Sequence, residues 1–376
     1  MRILYCISSL FNSAGMERII TAKANALSQM GHEVIIVTAE QRNRPIFFPL
    51  LPSVTHRDIA INYTENKSFF AKLVNYPFKR RKHEKAITKI LLEVKPDICI
   101  STMGNEFLFL WKIKDGSKKL LEVHFSKGYR LMYQRNFLWR IIDFYRSKQE
   151  ERKAAKYDKF VVLTHEDKQH WKGLNNITVI PNFVTSPTVD LNSLHISKEN
   201  ILIAVGRLTY QKGFDRLIAA CSLIKEELEG WNICIYGNGE LKQKLESQIR
   251  KNYLSDIIRI YPATNRIDLV YKKSKCLLFS SRFEGLPMVL IEALSYGIPS
   301  IAFSCPCGPR DVIQDNRNGV LVQDGDIIAF SKAIKKFIND ESLQEKLSRG
   351  AKDSSAFFTK KNIIKQWNHL FEDLCK

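Results

Sequence analysis

Buried strands and amphipathic helices alternate along most of the chain, and this alternation constrains the fold more than any other feature. The first predicted strand, Arg2–Ser8, is followed by a helical pattern over Gly15–Met30 that ends at Gly31. The other predicted strands of the first half are Val34–Ala39, Ile98–Ser101, Leu120–His124, Phe160–Thr164 and Ile177–Ile180. The other helical patterns are Lys82–Val94 and Phe137–Lys156. Short apolar strands separated by helices predict a mostly parallel, doubly wound sheet.

The alternation stops once and then restarts. The polar segment Pro181–Asn200 has no sustained period and is interpreted as a linker between domains. The strands predicted after it are Ile201–Val205, Asn232–Tyr236, Ile257–Tyr261, Cys276–Ser280, Pro299–Phe303 and Gly319–Val322. Helices are predicted to begin near Phe214, Glu240, Ile267 and Pro287, and to cover Asp326–Ile338, Ser342–Arg349 and Asn362–Leu374.

This pattern predicts an α/β protein with two Rossmann-like, doubly wound domains facing a cleft. We expect the first domain to cover residues 1–185 and the second to cover residues 186–359. The last helix, within residues 360–376, is expected to pack back on the first domain. Ligands of open α/β sheets bind at the carboxyl ends of the strands, so the loops at those ends are the candidate sites.

The composition excludes several classes of protein. The chain has 376 residues, 45% of them hydrophobic and 26% charged, as in globular proteins. No apolar run approaches the length of a spanning helix, and the start of the chain predicts a strand and not a signal peptide. The eight cysteines are scattered, and Cys305-Pro-Cys307 lacks a second pair of zinc ligands. We therefore expect reduced thiols, no bound metal and a cytoplasmic location.

Positive charge is concentrated in the first half. The net charge is +19, and residues 1–185 hold 31 Lys and Arg against 17 Asp and Glu. This excess is explained by binding to nucleic acid, to an anionic bilayer or to a phosphorylated substrate, or simply by a solvated basic face. The stretch Tyr129–Arg140 mixes aromatic side chains with Arg130, Arg135 and Arg140. It suits a bilayer interface or a lipid-linked acceptor, or a helix that packs its apolar face inward.

Three loops of the second half follow predicted strands. The loop Gly206–Gly213 contains Arg207 and Lys212, which offer a planar fork and a point charge to a diphosphate. The loop Tyr236-Gly-Asn-Gly-Glu240 contains two glycines that allow close backbone approach to a ligand, Gly237 and Gly239. Its spacing is not that of a dinucleotide fingerprint. Taken singly, each loop is equally well explained as a surface turn.

The third loop is Glu284-Gly-Leu-Pro-Met-Val-Leu-Ile-Glu292. Pro287 suits the first position of a helix, which places Glu284 on the turn and Glu292 about two turns into the helix. A helix start offers free N–H groups and a positive dipole end to a phosphate. The two carboxylates are therefore placed to hold the two neutral ends of a nucleotide sugar, although the same pattern also fits an ordinary helix start.

The order of these three loops resembles the retaining glycosyltransferases of family 4, which have the GT-B architecture. Further segments that match are Ile180-Pro-Asn182, Gly297-Ile-Pro299, Cys305-Pro-Cys-Gly-Pro-Arg310 and Asn318-Gly-Val-Leu-Val322. The resemblance covers essentially the whole chain, and its specific motifs lie in the second half. It implies that Arg207 and Lys212 bind the donor diphosphate beside Gly206, and that no metal is needed.

The resemblance also implies roles for the two glutamates. Glu292 binds the ribose, and Glu284 accepts hydrogen bonds from the donor sugar, with backbone N–H groups over Gly285, Leu286 and Pro287. The family commonly has a glycine where this chain has Pro262, so the contacts to the base are the part of the site that departs from the family.

In the first half, the resemblance points to the loop before the first helix and to one histidine. Asn12-Ser-Ala-Gly15-Met-Glu-Arg18 matches the family's glycine-rich loop, so Gly15 and Arg18 are expected beside the diphosphate. His124, at the end of a strand, is expected to bind a donor hydroxyl or to assist the acceptor proton, or else to be a structural histidine. Asn105 and Glu106 are weaker candidates on the acceptor side.

These residues predict a retaining glycosyltransferase that uses a nucleoside diphosphate sugar, most simply a UDP-sugar, and needs no cofactor. The predicted acceptor is a growing glycan: a lipid-linked oligosaccharide, a lipopolysaccharide or a capsule precursor. The expected location is the cytoplasm, at the inner face of the membrane, with contact to anionic lipid and no nucleic-acid partner. The alternatives are a GT-B phosphorylase or epimerase, and a non-catalytic basic protein that binds anionic membrane or RNA.

Overall fold

The computed structural model describes residues 1–65, 68–133, 136–184 and 197–376. The middle of the predicted linker and Arg135 lie outside these residues. The chain forms two compact units. The first comprises residues 1–131, 135–181 and 361–376, and the second comprises residues 132–134 and 182–360. No helix in the described residues has the length and apolar character needed to cross a membrane.

The first unit is built on a seven-stranded sheet in which every pair of neighbours is parallel. The strands are β1 (Arg2–Ile7), β2 (Glu33–Thr38), β3 (Val54–Asp58), β4 (Ile98–Ser101), β5 (Lys118–Glu122), β6 (Lys159–Val162) and β7 (Ile177–Val179). Their order across the sheet is β3-β2-β1-β4-β5-β6-β7, so strand order reverses between β1 and β4. Such a switch point leaves a crevice at the carboxyl ends of the two strands.

The helices of the first unit differ from the prediction mainly in number and length. They are α1 (Gly15–Gln29), α2 (Phe69–Val94), α3 (Tyr129–Met132), α4 (Phe137–Ala154) and α5 (His165–His170). The predicted helix over Lys82–Val94 is the second half of α2, which runs through Pro77. Proline usually ends a helical pattern, because it lacks an N–H and crowds the preceding turn, and so the earlier turns were not predicted. The edge strand β3 was missed because its sequence is mostly polar.

The second unit is built on a six-stranded parallel sheet. The strands are β8 (Ile201–Val205), β9 (Asn232–Tyr236), β10 (Ile258–Tyr261), β11 (Cys276–Phe279), β12 (Ser300–Phe303) and β13 (Gly319–Val322), in the order β10-β9-β8-β11-β12-β13. The helices are α6 (Phe214–Ser222), α7 (Lys242–Lys251), α8 (Ile267–Lys273), α9 (Met288–Ser295), α10 (Pro309–Val312), α11 (Ile327–Asn339) and α12 (Glu341–Ser355). The two parallel sheets confirm the predicted doubly wound fold.

The last helix, α13 (Lys360–Cys375), lies with the first unit from residue 361 onward. Its apolar stripe of Ile363, Ile364, Trp367 and Phe371 is buried. Its polar face is also engaged, since Asn368 Oδ1 lies 2.8 Å from His32 Nε2.

A buried ion pair lies beneath α13 in the core of the first unit. Lys23 of α1 pairs with Glu122 at the end of β5, and both side chains are 1% exposed. The ring of Trp367 lies 3.7 Å from Lys23 Nζ. Burial alone would raise the pKa of Glu122, but the charges of Lys23 and His124 lower it to about 2. The pair therefore ties α1, β5 and α13 to one another by charge as well as by packing.

We predict that Lys23→Met lowers the free energy of unfolding at neutral pH by about 3–5 kcal/mol, because it leaves Glu122 charged and unpaired in the core. The folded-state pKa of Glu122 lies below that of an unfolded carboxyl group, about 4.3. Its contribution to stability is therefore present above that unfolded value and is lost as the pH falls toward 2. Denaturant titrations over this pH range will show the difference between wild type and variant shrinking.

The matched control is Lys118→Met, which removes an exposed lysine from the start of the same strand and should change stability by about 0.5 kcal/mol or less. A double variant, Lys23→Met with Glu122→Leu, should recover most of the loss. A double variant as unstable as Lys23→Met alone would show that the loss is due to packing and not to unpaired charge.

Candidate active site

The candidate site of the second unit begins with the contact between the loops that follow β8 and β11, two neighbouring parallel strands. Lys212 Nζ in the first loop lies 2.6 Å from Glu284 Oε1 in the second, and their side chains are 16% and 8% exposed. The backbones are joined as well. Arg282 N donates to Gln211 O at 2.7 Å, and Ser280 Oγ donates to Lys212 O at 3.0 Å. The first and third predicted loops therefore form one piece of structure.

The Glu284 carboxylate is held by three side chains. Besides Lys212, Ser281 Oγ donates to Oε1 at 2.7 Å and Gln211 Nε2 lies 3.4 Å from Oε2. The Glu284 backbone N–H donates to Pro306 O at 3.1 Å, which fixes its main chain to the loop after β12. A carboxylate held in this way keeps one position, and it retains lone pairs that can accept from hydroxyl groups.

Arg207 differs from Lys212, although they lie in the same loop. It is exposed, and within the described parts of the chain no acceptor contacts its guanidinium group. Lys212 is already committed to Glu284, so an incoming anion meets one free cation and one paired cation. The prediction that both cations bind a diphosphate did not anticipate this pairing.

The second predicted loop packs backbone to backbone against the first. A Cβ on Gly237 would lie 1.8 Å from Gly206 O, and a Cβ on Gly239 would lie 2.4 Å from Leu208 O. Gly206 N donates to Tyr236 O at 3.0 Å. Glycine is therefore required here by the close approach of two loops, whether or not a ligand also comes near.

Helix α9 begins one residue later than predicted. Pro287 is the residue before the first helical turn and not its first member, and its carbonyl accepts from Leu290 N at 3.0 Å. The residues between Glu284 and the helix are Gly285, half-buried, and Leu286 and Pro287, both buried. Because Pro287 has no N–H, the free donors at this helix start come from its neighbours.

Glu292 lies in the middle of α9 and is half-buried. Its Oε2 accepts from the hydroxyl of Tyr271 at 3.3 Å, and the ring of Tyr271 stacks on that of Tyr296 with 5.3 Å between centroids. Pro262 is exposed in the loop after β10. The preceding residue, Tyr261, stacks on Tyr236 at 4.9 Å. An aromatic pair thus lies at the carboxyl ends of β9 and β10.

Two arginines that support the site were not singled out from the sequence. Arg282 makes a bidentate pair with Asp215, at 2.8 and 2.6 Å, and donates to Tyr210 O at 2.8 Å. Arg216 Nη2 donates to the carbonyls of Ser280 and Ser281, at 2.8 and 2.6 Å. They brace the loops that carry Lys212 and Glu284. Spacing gives no signal for these pairs, since Arg282 and Asp215 are 67 residues apart.

In the first unit, Gly15 is exposed at the start of α1 and Arg18 is half-buried in its first turn. The same turn carries Glu17, which is 6% exposed. Its Oε1 accepts from Asn12 Nδ2 at 3.3 Å, so the loop before the helix is held by its own side chains.

His124 lies just after β5, and its side chain is 6% exposed. Its Nε2 lies 2.9 Å from Glu122 Oε1, the distance of an ion pair, but the angle is not that of a hydrogen bond. Glu122 therefore contacts Lys23 on one side and His124 on the other. This neighbour was not anticipated, because Glu122 lies within a predicted buried strand.

The two weaker candidates differ in their surroundings. Asn105 is half-buried at the start of a short 3₁₀ helix, and its Oδ1 lies 3.5 Å from the hydroxyl of Tyr76. Glu106 is buried, and it accepts from Ser101 Oγ at 2.7 Å and from Gly104 N at 3.0 Å. Burial raises the pKa of Glu106, and these hydrogen bonds partly oppose the rise. Its contacts are those of a residue that holds its own loop.

Helix α4 leaves an apolar face uncovered. Its exposed apolar side chains are Phe137, Trp139, Ile141, Ile142, Phe144 and Tyr145, and Phe137 is 74% exposed. Within the predicted aromatic and basic stretch, Phe137 and Trp139 are therefore exposed and do not pack inward.

Comparison with known families agrees with this architecture. Residues 13–186 match the model described as Glycosyltransferase Family 4, and residues 189–354 match the model described as Glycosyl transferases group 1. Among curated relatives, the amylovoran biosynthesis glycosyltransferase AmsD of Erwinia amylovora is 36% identical over 222 residues, covering 57% of this chain and 62% of that protein. An α-1,4-N-acetylgalactosaminyltransferase of Campylobacter jejuni, named for an undecaprenol-diphosphate acceptor, is 28% identical over 100% of this chain and 99% of that protein.

Solved structures show the same fold. The lipopolysaccharide outer core galactosyltransferase WaaB, in its apo form, superposes with a TM-score of 0.75 and 22% identity, covering 99% of this chain and all of that one. The Anabaena protein HepE, in complex with UDP, superposes with a TM-score of 0.74 and 13% identity, covering 99% of this chain and all of that one. The fold is GT-B, and the chain belongs to the glycosyltransferases of family 4 and group 1.

Proposed function

We propose that this protein is a retaining glycosyltransferase that moves a sugar from a UDP-sugar to a glycan carried on a lipid diphosphate. The observation that carries the proposal is the Lys212–Glu284 pair at the carboxyl ends of β8 and β11, with the exposed Arg207 in the same loop. Few ligands offer a diphosphate to two cations and hydroxyl groups to a neighbouring carboxylate, and a nucleotide sugar offers both.

Donor binding exchanges the partners of the ion pair. Lys212 has three N–H donors, and a phosphate oxygen competes with Glu284 for them. As Lys212 turns to the phosphate, Glu284 accepts from the sugar hydroxyls, while Ser281 and Gln211 hold its carboxylate in place. Arg207 supplies a second positive charge to the diphosphate. The charge that grows on the leaving group is thus stabilised by side chains already in position.

Glu292 is assigned to the ribose. Its contact with the hydroxyl of Tyr271 resembles the contact that a ribose hydroxyl would make. The assignment of uridine rests on the UDP named in the HepE structure. For retention we propose attack on the same face as the leaving group, with the leaving phosphate accepting the acceptor's proton.

The acceptor assignment rests on the first unit. The Campylobacter relative acts, by its name, on a glycan carried by undecaprenol diphosphate. In this chain, α4 exposes six large apolar side chains beside basic ones such as Arg140 and Lys148. Such a surface suits the interface of an anionic bilayer, so we place the enzyme at the cytoplasmic face of the membrane, where a lipid-linked acceptor lies.

We predict that Lys212→Ala and Arg207→Ala each lower kcat by roughly a hundredfold, because each removes positive charge that stabilises the leaving diphosphate. Steady-state rates of donor hydrolysis and of sugar transfer measure this loss. The control Lys242→Ala removes an exposed lysine of the same unit and should leave both rates unchanged. Folded Lys212→Ala and Arg207→Ala variants with normal turnover would contradict the diphosphate assignment.

Glu284 and Glu292 should contribute differently, because they are assigned to different parts of the donor. Glu292→Ala should weaken the binding of free UDP, since the ribose is present in UDP. Glu284→Gln should not weaken UDP binding, but it should lower kcat for transfer, since a contact made to the sugar strengthens in the transition state. Calorimetry with UDP and kinetics with the full donor measure the two effects. If Glu284→Gln weakened UDP binding and Glu292→Ala left it unchanged, the donor would lie along this site in the reverse orientation.

The apolar face of α4 should bind membranes. The double variant Trp139→Ser with Phe144→Ser should sediment less with vesicles that contain phosphatidylglycerol. Each substitution removes an exposed aromatic ring that would otherwise contact the apolar part of the bilayer interface. A control variant, Phe357→Ser, removes an exposed phenylalanine of the second unit and should bind vesicles as wild type does. If the wild-type protein ignores anionic vesicles even at low salt, the membrane assignment fails.

A further inference from the structure

A cavity that is separate from the residues assigned to the donor lies wholly within the first unit. Its volume is about 610 Å³. It opens where β1 and β4 end, since Ser8 follows β1 and Met103 follows β4. The short 3₁₀ helix after β4 and helices α2, α3 and α4 also contribute to its lining. This is the switch point of the first sheet, where open α/β sheets bind ligands.

The cavity is strongly positive. Its lining includes four basic side chains and one acid, Glu150; the basic ones are Arg80, Arg130, Arg146 and Lys153. Arg130 is neutralised by Glu150, with Nη1 and Oε1 2.6 Å apart. Arg146 lies 3.9 Å from the buried carboxylate of Asp143.

The other two basic side chains are not paired in this way. Within the described residues, neither Arg80 nor Lys153 lies in an ion pair, and both are half-buried. Burial lowers the pKa of Lys153, the charges of Arg80 and Lys112 lower it further, and the charge of Glu150 partly opposes the shift. Placing several cations close together in a partly buried cavity costs free energy unless an anion binds among them.

Uncharged polar groups complete the lining. Asn105 and Tyr76 both face the cavity, and the hydroxyl of Tyr76 lies 3.5 Å from the amide oxygen of Asn105. This contact leaves the two amide N–H groups of Asn105 available to an oxygen-rich ligand. Planar guanidinium groups, an ammonium group and an amide are the donors that bind phosphate oxygens.

We propose that this cavity binds the diphosphate of the lipid-linked acceptor, an assignment that rests on the proposed function. Four cations against one acid match the charge of a diphosphate better than that of a single carboxylate. A nucleic-acid strand would need a basic groove that follows its backbone over several nucleotides, whereas the basic side chains here gather around a single cavity. The donor diphosphate has its own cations in the second unit, and none of them lines this cavity.

Helix α4 connects the cavity to the proposed membrane surface. Arg146 and Lys153 line the cavity, whereas Ile142 and Tyr145, one turn or less before Arg146, are exposed apolar side chains. One helix therefore presents an apolar surface followed by a cationic one. That is the order in which a lipid diphosphate presents its chain and its head group.

The test removes the two cations that lie in no ion pair, in the double variant Arg80→Gln with Lys153→Gln. A matched control, Lys82→Gln with Arg152→Gln, removes two exposed cations from the same two helices and changes the net charge equally. Both double variants are made in an Arg207→Gln, Lys212→Gln background, so that the donor site does not bind the probe. Calorimetry measures binding of inorganic diphosphate, and circular dichroism and thermal melting check that each variant is folded.

We expect the cavity variant to bind inorganic diphosphate at least tenfold more weakly than the background protein, because it loses two charge-assisted contacts. The control should bind within about twofold of the background, since its charges are exposed and screened. Equal weakening in cavity variant and control would overturn the proposal, as would no binding by the folded background protein.

A second arm tests the source of the diphosphate. Phosphatidylcholine vesicles that carry polyprenyl diphosphate are compared with vesicles that carry phosphatidylglycerol at the same surface charge. We expect wild type to prefer the polyprenyl diphosphate and the cavity variant to lose that preference. Binding of inorganic diphosphate without this preference would overturn the lipid-linked assignment. Donor hydrolysis by the wild-type protein tests the proposed function separately, since it needs no acceptor.

Discussion

The loops after β8 and β11 keep their arrangement because a half-buried lysine and a buried glutamate neutralise each other across them. Taking either charge out of water alone is costly, and the cost is offset only while Lys212 and Glu284 remain paired or find other partners. A bare diphosphate that takes Lys212 leaves Glu284 without a cation. A sugar diphosphate supplies phosphate oxygens to Lys212 and hydroxyl groups to Glu284 together. The pair therefore favours a ligand that carries both groups over one that carries only the first.

The first unit uses the same physical device for another purpose. Lys23 and Glu122 are nearly inaccessible to water, and Glu122 also faces His124. Here no ligand is needed, because Trp367 from the last helix covers the lysine. The pair fixes the strand end that carries His124, so the position of that histidine depends on the docking of α13. Arg80 and Lys153 differ from both pairs, because neither lies in an ion pair within the described residues, and the proposed ligand would supply the anion.

Much of this arrangement could be predicted from the sequence, because the hydrophobic periodicity of strands and helices and the order of the loops can be read along the chain itself. The strand and helix patterns gave both parallel sheets, and the order of Gly206–Gly213, Gly237–Glu240 and Glu284–Glu292 gave the family. Side-chain partners did not follow, because they are set by distant contacts. Nothing in the spacing of Lys212 and Glu284, 72 residues apart, indicates that they pair. The same holds for Arg282 with Asp215, and for the four cations that three helices bring to one cavity.

The predicted position of Pro287 was wrong by one residue for a physical reason. Proline is favoured at the first helical position, but it serves here as the residue before the helix, packed under Gly308 in the loop after β12. A Cβ on Gly308 would lie 2.3 Å from Pro287 Cδ, so a tertiary contact sets the helix start. The exposure of apolar side chains on α4 could not be predicted either, because a segment that mixes aromatic and basic residues does not indicate which side of the helix packs against the protein.

A crystal structure of the protein with a non-hydrolysable UDP-sugar would test the exchange of partners at Lys212 most directly. The account predicts that Lys212 Nζ contacts a β-phosphate oxygen, and that a sugar hydroxyl donates to Glu284, still held by Ser281 and Gln211. A donor-bound structure in which Lys212 remains on Glu284 and contacts no phosphate would contradict the central claim.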